Sequence, residues 1–175
     1  MHRNRTLVLD GALGYSIVAI VDAIDGRYDC VAEDEQYELP LLQRIARLLP
    51  NEADRADLSA IIAGTGPGSY SGIRMAASVA VGLASALDVS LRESPSDRAL
   101  WQALHRPLAI ALGTRESLEI SEMSTAIVPR EKASELVTPS ESRGVYACAL
   151  VSQAGADVPH VSLRYPAPAR GSEGG

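Results

Sequence analysis

The sequence predicts an α/β protein that opens with three antiparallel strands and then alternates helices with buried strands. Three observations carry this. The apolar run Thr6 to Leu9 is followed by the β-branched stretch Tyr15 to Ala23. Arg27 to Val31 then returns beyond Asp25-Gly26, a dipeptide favoured in two-residue hairpins. After an acidic run, Glu33-Asp34-Glu35, the apolar period lengthens to that of a helix, with Leu41, Leu42, Ile45, Leu48 and Leu49 on one face. Leu58 to Leu87 then reads as a buried strand, a loop of small residues and a helix without charge after Arg74.

Taken in order, Asp10 to Gly14 (DGALG) is a tight turn carrying a carboxylate at a strand end. The first helix runs from about Glu38 to Leu49 and stops at Pro50, and Asn51 to Asp57 is a polar connector. A strand at Ser59 to Ala63, the loop Gly64 to Gly72 and a helix Ile73 to Leu87 follow. Ser90 to Arg92 is a short strand. Ser94-Pro95 supplies a cap and a first-turn proline for a helix Ser96 to His105, with Leu100, Trp101 and Leu104 inward. Leu108 to Leu112 is a buried strand, giving the order βββαβαβαβ. Further on, Leu118 and Ile120 alternate with polar residues as in a strand, Glu131 to Leu136 fits a short helix, and Arg143 to Val151 reads as a last strand. The glycine-rich end from Ala167 is expected to be disordered.

At 175 residues the chain suits one domain or two small lobes. Its net charge of −6 is not the footprint of a protein that grips nucleic acid by itself. Cys30 and Cys148 are far apart with no CxxC pair, which excludes a zinc knuckle and a disulfide scaffold. The apolar run near the N-terminus is too short for a signal peptide, and Met75 to Leu87 is short of the roughly 20 residues of a membrane helix. A cytoplasmic protein without a membrane partner is expected.

The central loop invites a phosphate reading, because first-turn N–H groups lack intrahelical partners and the helix dipole favours an anion there. Gly66-Pro67-Gly68-Ser69-Tyr70-Ser71-Gly72 has no lysine, so it is no Walker loop, and it fails the dinucleotide pattern GxGxxG. What remains is an anion-site candidate of Gly68, Ser69, Ser71 and Arg74. His2, His105 and His160 lack metal-ligand spacing, so no metal is expected. Ser69 and Ser71 have no histidine base in their sequence context and form no GxSxG elbow, so no catalytic residue is assigned. Asp10, Asp22 and Asp25 at turns read first as solvated turn formers.

The helix beyond the loop is small or apolar all round, which predicts burial on both sides. Gly72, Ala76, Ala80 and Ala84 form one row, and Ser78, Gly82 and Ala86 another. One side would lie on the sheet. The other would lie under a helix of the chain plus a partner subunit, or entirely under helix 38–49 and the C-terminal part.

Ala63-Gly64-Thr65-Gly66-Pro67-Gly68-Ser69-Tyr70-Ser71-Gly72-Ile73-Arg74 resembles the GPGSFTGxR signature of the TsaB (YeaZ) family, an accessory subunit of bacterial tRNA threonylcarbamoyladenosine synthesis, with Tyr and Ser in place of Phe and Thr. Leu83-Ala84, Leu39-Pro40-Leu41-Leu42 and Pro159-His160-Val161-Ser162-Leu163-Arg164 extend the likeness. The resemblance implies the actin, Hsp70 and sugar-kinase (RNase H-like) fold, with an N-terminal lobe over 1–106, a shortened C-terminal lobe over 107–166 and a tail over 167–175. It implies a non-catalytic, cofactor-free subunit that pairs through N-terminal-lobe helices with a TsaD-like subunit, joins further proteins such as TsaE, reaches tRNA only through the complex, and pairs with a second copy when alone. The positions assigned to that interface are Leu42, Ala46, Met75, Ser78, Val79, Gly82, Ser85 and Ala86, and Ala80→Glu and Gly82→Arg would abolish pairing in a folded monomer.

The departures concern a nucleotide site. The family's first-strand turn D-T-A/S is Asp10-Gly11-Ala12 here, its histidine before the first helix falls at about Asp34, and its strand-end D-A-R is Gly113-Thr114-Arg115. They weigh against the competing reading, a nucleotide-binding kinase-like enzyme using Asp10 and the loop Gly66 to Ser71. A protease is disfavoured by the absence of an HxxxH pair.

Overall fold

The computed structural model describes residues 4–13, 16–133 and 143–165. Strands β1 (Asn4–Asp10), β2 (Ile17–Ile24) and β3 (Arg27–Glu33) form the opening antiparallel unit. Helices α1 (Leu41–Leu48) and α2 (Glu52–Ala56) lead to β4 (Leu58–Gly64), and α3 (Tyr70–Leu87) leads to β5 (Ser90–Ser94). After α4 (Ser96–Leu104) come β6 (Leu108–Ala111), β7 (Glu116–Ile120) and β8 (Thr125–Pro129), then α5 (Arg143–Gln153). The first sheet has the order β3-β2-β1-β4-β5, with β4 parallel to both β1 and β5, and β6-β7-β8 form a second, antiparallel sheet.

Strand alternation divides the interior in two. On β1 and β2, Leu7, Leu9, Val18 and Ile20 face one side and meet Leu41 and Ile45 of α1 and Ala76, Ala80 and Ala84 of α3. Val8, Ile17, Ala19 and Val21 face the other, where Leu100 of α4, Tyr146, Ala147 and Leu150 of α5, and Leu108, Ile110, Leu118 and Ile120 of the second sheet pack.

Four expectations need correction. Arg143 to Val151 is a helix, not a strand: Tyr146, Ala147 and Leu150 are buried at the i, i+1, i+4 spacing of a helical stripe. The connector Asn51 to Asp57 contains α2, capped by the Asn51 side chain, which accepts from the Asp54 N–H at 2.9 Å. Ser94 is not the cap of α4; Pro95 holds that position, and Ser96 instead binds the loop, its N–H donating to the Gly66 carbonyl at 3.0 Å and its Oγ accepting from the Gly66 N–H at 2.9 Å. Most consequentially, α3 is buried on one side only. Ile73, Ala76, Ala77, Ala80 and Ala84 lie on the sheet, while Met75, Ser78, Val81, Gly82, Ser85 and Ala86 are exposed and no described element covers them. By length and composition α3 alone among the described helices could cross a membrane, but its inner row is packed on the sheet as in a core helix.

Of the segment Glu131 to Leu136, residues 130–132 form a single 3₁₀ turn, and 134–136 lie outside the described residues, as does the end from Ala167. The segment 154–165 runs beside β5 and the loop: the Val158 N–H donates to the Leu91 carbonyl at 2.8 Å, and the Arg164 N–H to the Thr65 carbonyl at 2.8 Å.

The start of α3 is seated by direct backbone contact with the β1–β2 turn. The Ser69 N–H donates to the Ala12 carbonyl at 2.7 Å. A Cβ on Gly68 would lie 2.0 Å from the Ala12 oxygen, and one on Gly72 would lie 2.0 Å from the Gly11 oxygen. Gly82, by contrast, has open space around its Cβ position. Gly68→Ala should therefore cost about 2–4 kcal/mol by forcing two backbones apart. Gly82→Ala should stabilise the monomer by about 0.5–1 kcal/mol through helix propensity. Urea denaturation of both variants checks this pair of opposite signs, and equal effects would contradict it.

Candidate functional site

Asp10 shares the face of Val8, so its carboxylate enters the interior beneath α5. Oδ1 accepts the Ala12 N–H at 2.8 Å and Oδ2 accepts the hydroxyl of the fully buried Tyr146. Burial raises the Asp10 carboxyl above its usual range, against the opposing hydrogen bonds from Tyr146 and Ala12. The sequence reading of a solvated turn former is thus corrected. Asp10 is a buried acid tying the first turn to the last helix, with neither oxygen presented to an incoming ligand.

The anion-site candidates do not converge. The Ser69 N–H is spent on Ala12, and its Oγ caps α3 by accepting the Gly72 N–H at 3.4 Å. Ser69 and Ser71 line a cavity of about 350 Å³ with Gly11, Ser16, Tyr37, Gly72 and Met75, but neither Gly68 nor Arg74 is on its wall. Arg74 instead stacks over the Tyr70 ring at 5.1 Å and donates to its hydroxyl. Cys30 and Cys148 are free thiols packed against the inner side of α5 and β3, with Cys30 pushed up to about 11 chiefly by burial. Among the described residues no group of three or more His, Cys, Asp or Glu is placed to hold a metal.

The interface positions fall on one side of the molecule, because α1 and α3 cover the same face of the sheet. Leu42 is 59% exposed, Met75 46% and Val81 37%, and Ala46, Ser78, Gly82, Ser85 and Ala86 are exposed beside them. Leu42 therefore leaves the buried face on which the periodicity placed it. Val79 sits on the flank, packed against the core, and Val81, missed in the sequence, takes a place on the outer stripe. Ala80 belongs to the inner row, fully buried.

A polar network that sequence reasoning also missed fixes α1. Arg44 is completely buried: Nε donates to Asp34 Oδ1 at 3.3 Å, Nη1 to the Ser16 carbonyl at 3.0 Å, and Nη2 to the Asp34 carbonyl. Arg47 Nε donates to Asp34 Oδ2 at 2.6 Å. The Tyr37 ring faces two guanidinium groups, Arg44 at 5.0 Å and Arg143 at 4.2 Å. Burial opposes ionisation of Asp34, but the bonds from Arg47, the Gln36 N–H and Arg44 prevail and lower its carboxyl below the usual range. Its stabilising contribution is full above the ordinary carboxylate value and is lost as pH falls through the lowered one. The only hint in the sequence is a cation, Arg44, beside Ile45 within the apolar stripe of α1.

A mixed five-stranded sheet opened by three antiparallel strands, with helices on both faces, defines the class: an RNase H-like lobe of the actin and sugar-kinase type. YeaZ from Pseudomonas aeruginosa is similar in fold, with a TM-score of 0.52 and 24% identity over 77% of this chain and 71% of that one. A second solved structure, described as an uncharacterized protein with similarity to peptidase YEAZ from Pseudomonas aeruginosa, has a TM-score of 0.52 and 22% identity over 79% of this chain and 72% of its own. The family of TsaD, tRNA N6-adenosine threonylcarbamoyltransferase, matches residues 36–105, which contain α1, α2, β4, α3, β5 and α4. No curated protein matches the chain in sequence. These likenesses are consistent with a protein of the TsaB (YeaZ) kind, as the signature over Ala63 to Arg74 implied.

Because Asp10 holds its proton to higher pH when folded than the value of about 3.9 it has when unfolded, its contribution to stability is full below that value and declines as pH rises through the folded one. Asp10→Asn keeps an acceptor for Ala12 and removes the buried charge. Its stability relative to the parent should therefore rise with pH from about 4 and then level off. Melting temperatures across that range test this, and a constant difference would contradict it.

Proposed function

We propose that the chain is a non-catalytic scaffold subunit that pairs through α1 and α3 with a TsaD-like partner in tRNA N6-threonylcarbamoyladenosine modification. The observation that carries this is the uncovered stripe of small and apolar side chains, Leu42 and Ala46 on α1 with Met75, Ser78, Val81, Gly82 and Ala86 on α3. Small residues let a facing helix approach closely. The segment matching the TsaD family contains both helices, so a partner of that family would bring equivalent helices to the contact. In the absence of that partner, a second copy meeting the same stripe about a C₂ axis is the natural alternative.

The chain's charge of −6 supports a protein partner over direct tRNA binding, leaving tRNA to be reached through a cytoplasmic complex with further subunits such as TsaE. The kinase-like alternative loses support from the site geometry, since both Asp10 oxygens are bonded internally and the loop from Gly66 to Ser71 is seated on Ala12.

The interface test uses Gly82→Arg and Ser78→Glu, both on the outer stripe. Ala80→Glu, chosen from the sequence alone, would bury a charge against the sheet and unfold the chain instead. Each outer variant should melt no lower than the parent yet weaken co-elution with the TsaD-like subunit by about 100-fold or more, since an unpaired buried charge costs about 3–5 kcal/mol. Normal co-elution of both would reject this interface.

A further inference from the structure

A cavity of about 390 Å³ opens where four distant parts of the chain meet: the loop at Pro67, the start of α4 at Asp97 and Arg98, the β7–β8 turn at Met123 to Thr125, and Arg164-Tyr165. It is separate from Asp10, from the cavity beside Ser69 and from the α1–α3 stripe.

Its wall is built around a buried carboxylate. Asp97 Oδ1 accepts Arg164 Nη1 at 2.9 Å, and Oδ2 accepts the Thr125 hydroxyl at 2.8 Å and Arg98 Nε at 3.4 Å. Two guanidinium groups on one carboxylate leave the wall positive. Arg98 is spent on structure: it also donates to Thr125 Oγ1 at 2.7 Å and to the carbonyls of Ser121 and Glu122 at 3.1 and 2.6 Å. Arg164 is different. Of its side-chain nitrogens only Nη1 donates among the described contacts, and its side chain is 49% exposed, so a guanidinium held at one edge by Asp97 has donors left for the cavity.

Beside this oriented cation the cavity is lined by Tyr165 and Met123. The Tyr165 ring lies 5.0 Å from that of Tyr70, tilted by 32°, and Met123 is 90% exposed at the rim. An inorganic anion would leave Tyr165 and Met123 unused, and a purely apolar ligand would leave the remaining guanidinium donors of Arg164 unused. A phosphate suits a guanidinium fixed in advance by a carboxylate, and a flat ring suits an aromatic and thioether wall. The volume falls within the roughly 300–1,000 Å³ of small-molecule sites.

We propose that this cavity binds a small phosphomonoester bearing a flat ring, of the size of a nucleoside monophosphate, with its phosphate on Arg164 and its ring against Tyr165 and Met123. Calorimetry on the full chain with AMP, adenosine and inorganic phosphate as probes tests it. AMP should saturate a single site with a Kd of about 1 mM or tighter, and adenosine and phosphate should each bind at least about tenfold more weakly. Tyr165→Ala and Arg164→Lys should each weaken AMP about five- to tenfold. Tyr165→Ala leaves the Asp97 ion pair intact, so it decides the matter if Arg164→Lys lowers the melting temperature. No saturable AMP binding, AMP no tighter than phosphate, or an affinity unchanged by Tyr165→Ala would overturn the proposal.

Discussion

Two stretches of backbone, Gly11-Ala12 and Gly68 to Gly72, lie against each other with no side chains between them, and the placement of α3 follows from that contact. A Cβ at Gly68 or Gly72 would fall 2.0 Å from a carbonyl oxygen of the opposing turn, so the separation of the two segments is fixed by glycine. The same loop is held from behind, since Gly66 exchanges two hydrogen bonds with Ser96 and Thr65 accepts the Arg164 N–H. The first turn, the third and fourth helices and the C-terminal segment are thus coupled through a few residues. Glycines that looked in the sequence like a phosphate cradle serve to bring the chain onto itself.

Of the buried carboxylates, Asp10, Asp34 and Asp97 then set the surrounding elements, each in its own electrostatic setting. Asp10 has a phenol and an amide for partners and no cation, and burial raises its carboxyl. Asp34 holds Arg44 and Arg47 of α1, and Asp97 holds Arg98 and Arg164. Removing one partner of such a buried pair leaves a charge uncompensated, which is far costlier than losing a surface pair. Consequently α1 is anchored through its inner face by Arg44, and α3 through its glycine-seated start and its alanine row. Their outer faces are presented by rigid supports, which is what a docking surface requires.

Much of this was legible because its causes are local. The continuous apolar runs of β1 and β2, the Asp25-Gly26 turn and the uncharged run of α3 all act within a few residues of themselves. The outer stripe was largely legible too, since Ser78, Gly82 and Ala86 form a row separate from Ala76, Ala80 and Ala84; what the sequence did not show is that no described helix of the chain helps to cover it. The last helix was not legible: a contiguous run such as Val145 to Val151 suits either a buried strand or a helix, and only packing on α4 and the sheet decides. Nor were the buried states of Asp10 and Arg44, whose partners Tyr146 and Ser16 lie 136 and 28 residues away. The cavity at Asp97 is likewise made by distant segments, and no spacing in the sequence announces it.

The central claim is that the free face of α1 and α3 is where this chain meets its partner. Amide hydrogen exchange of the chain, alone and with a TsaD-like subunit, tests it most directly. The account predicts slowed exchange concentrated in residues 41–48 and 70–87. Protection confined to α4, α5 or the second sheet, or no protection at all, would contradict it.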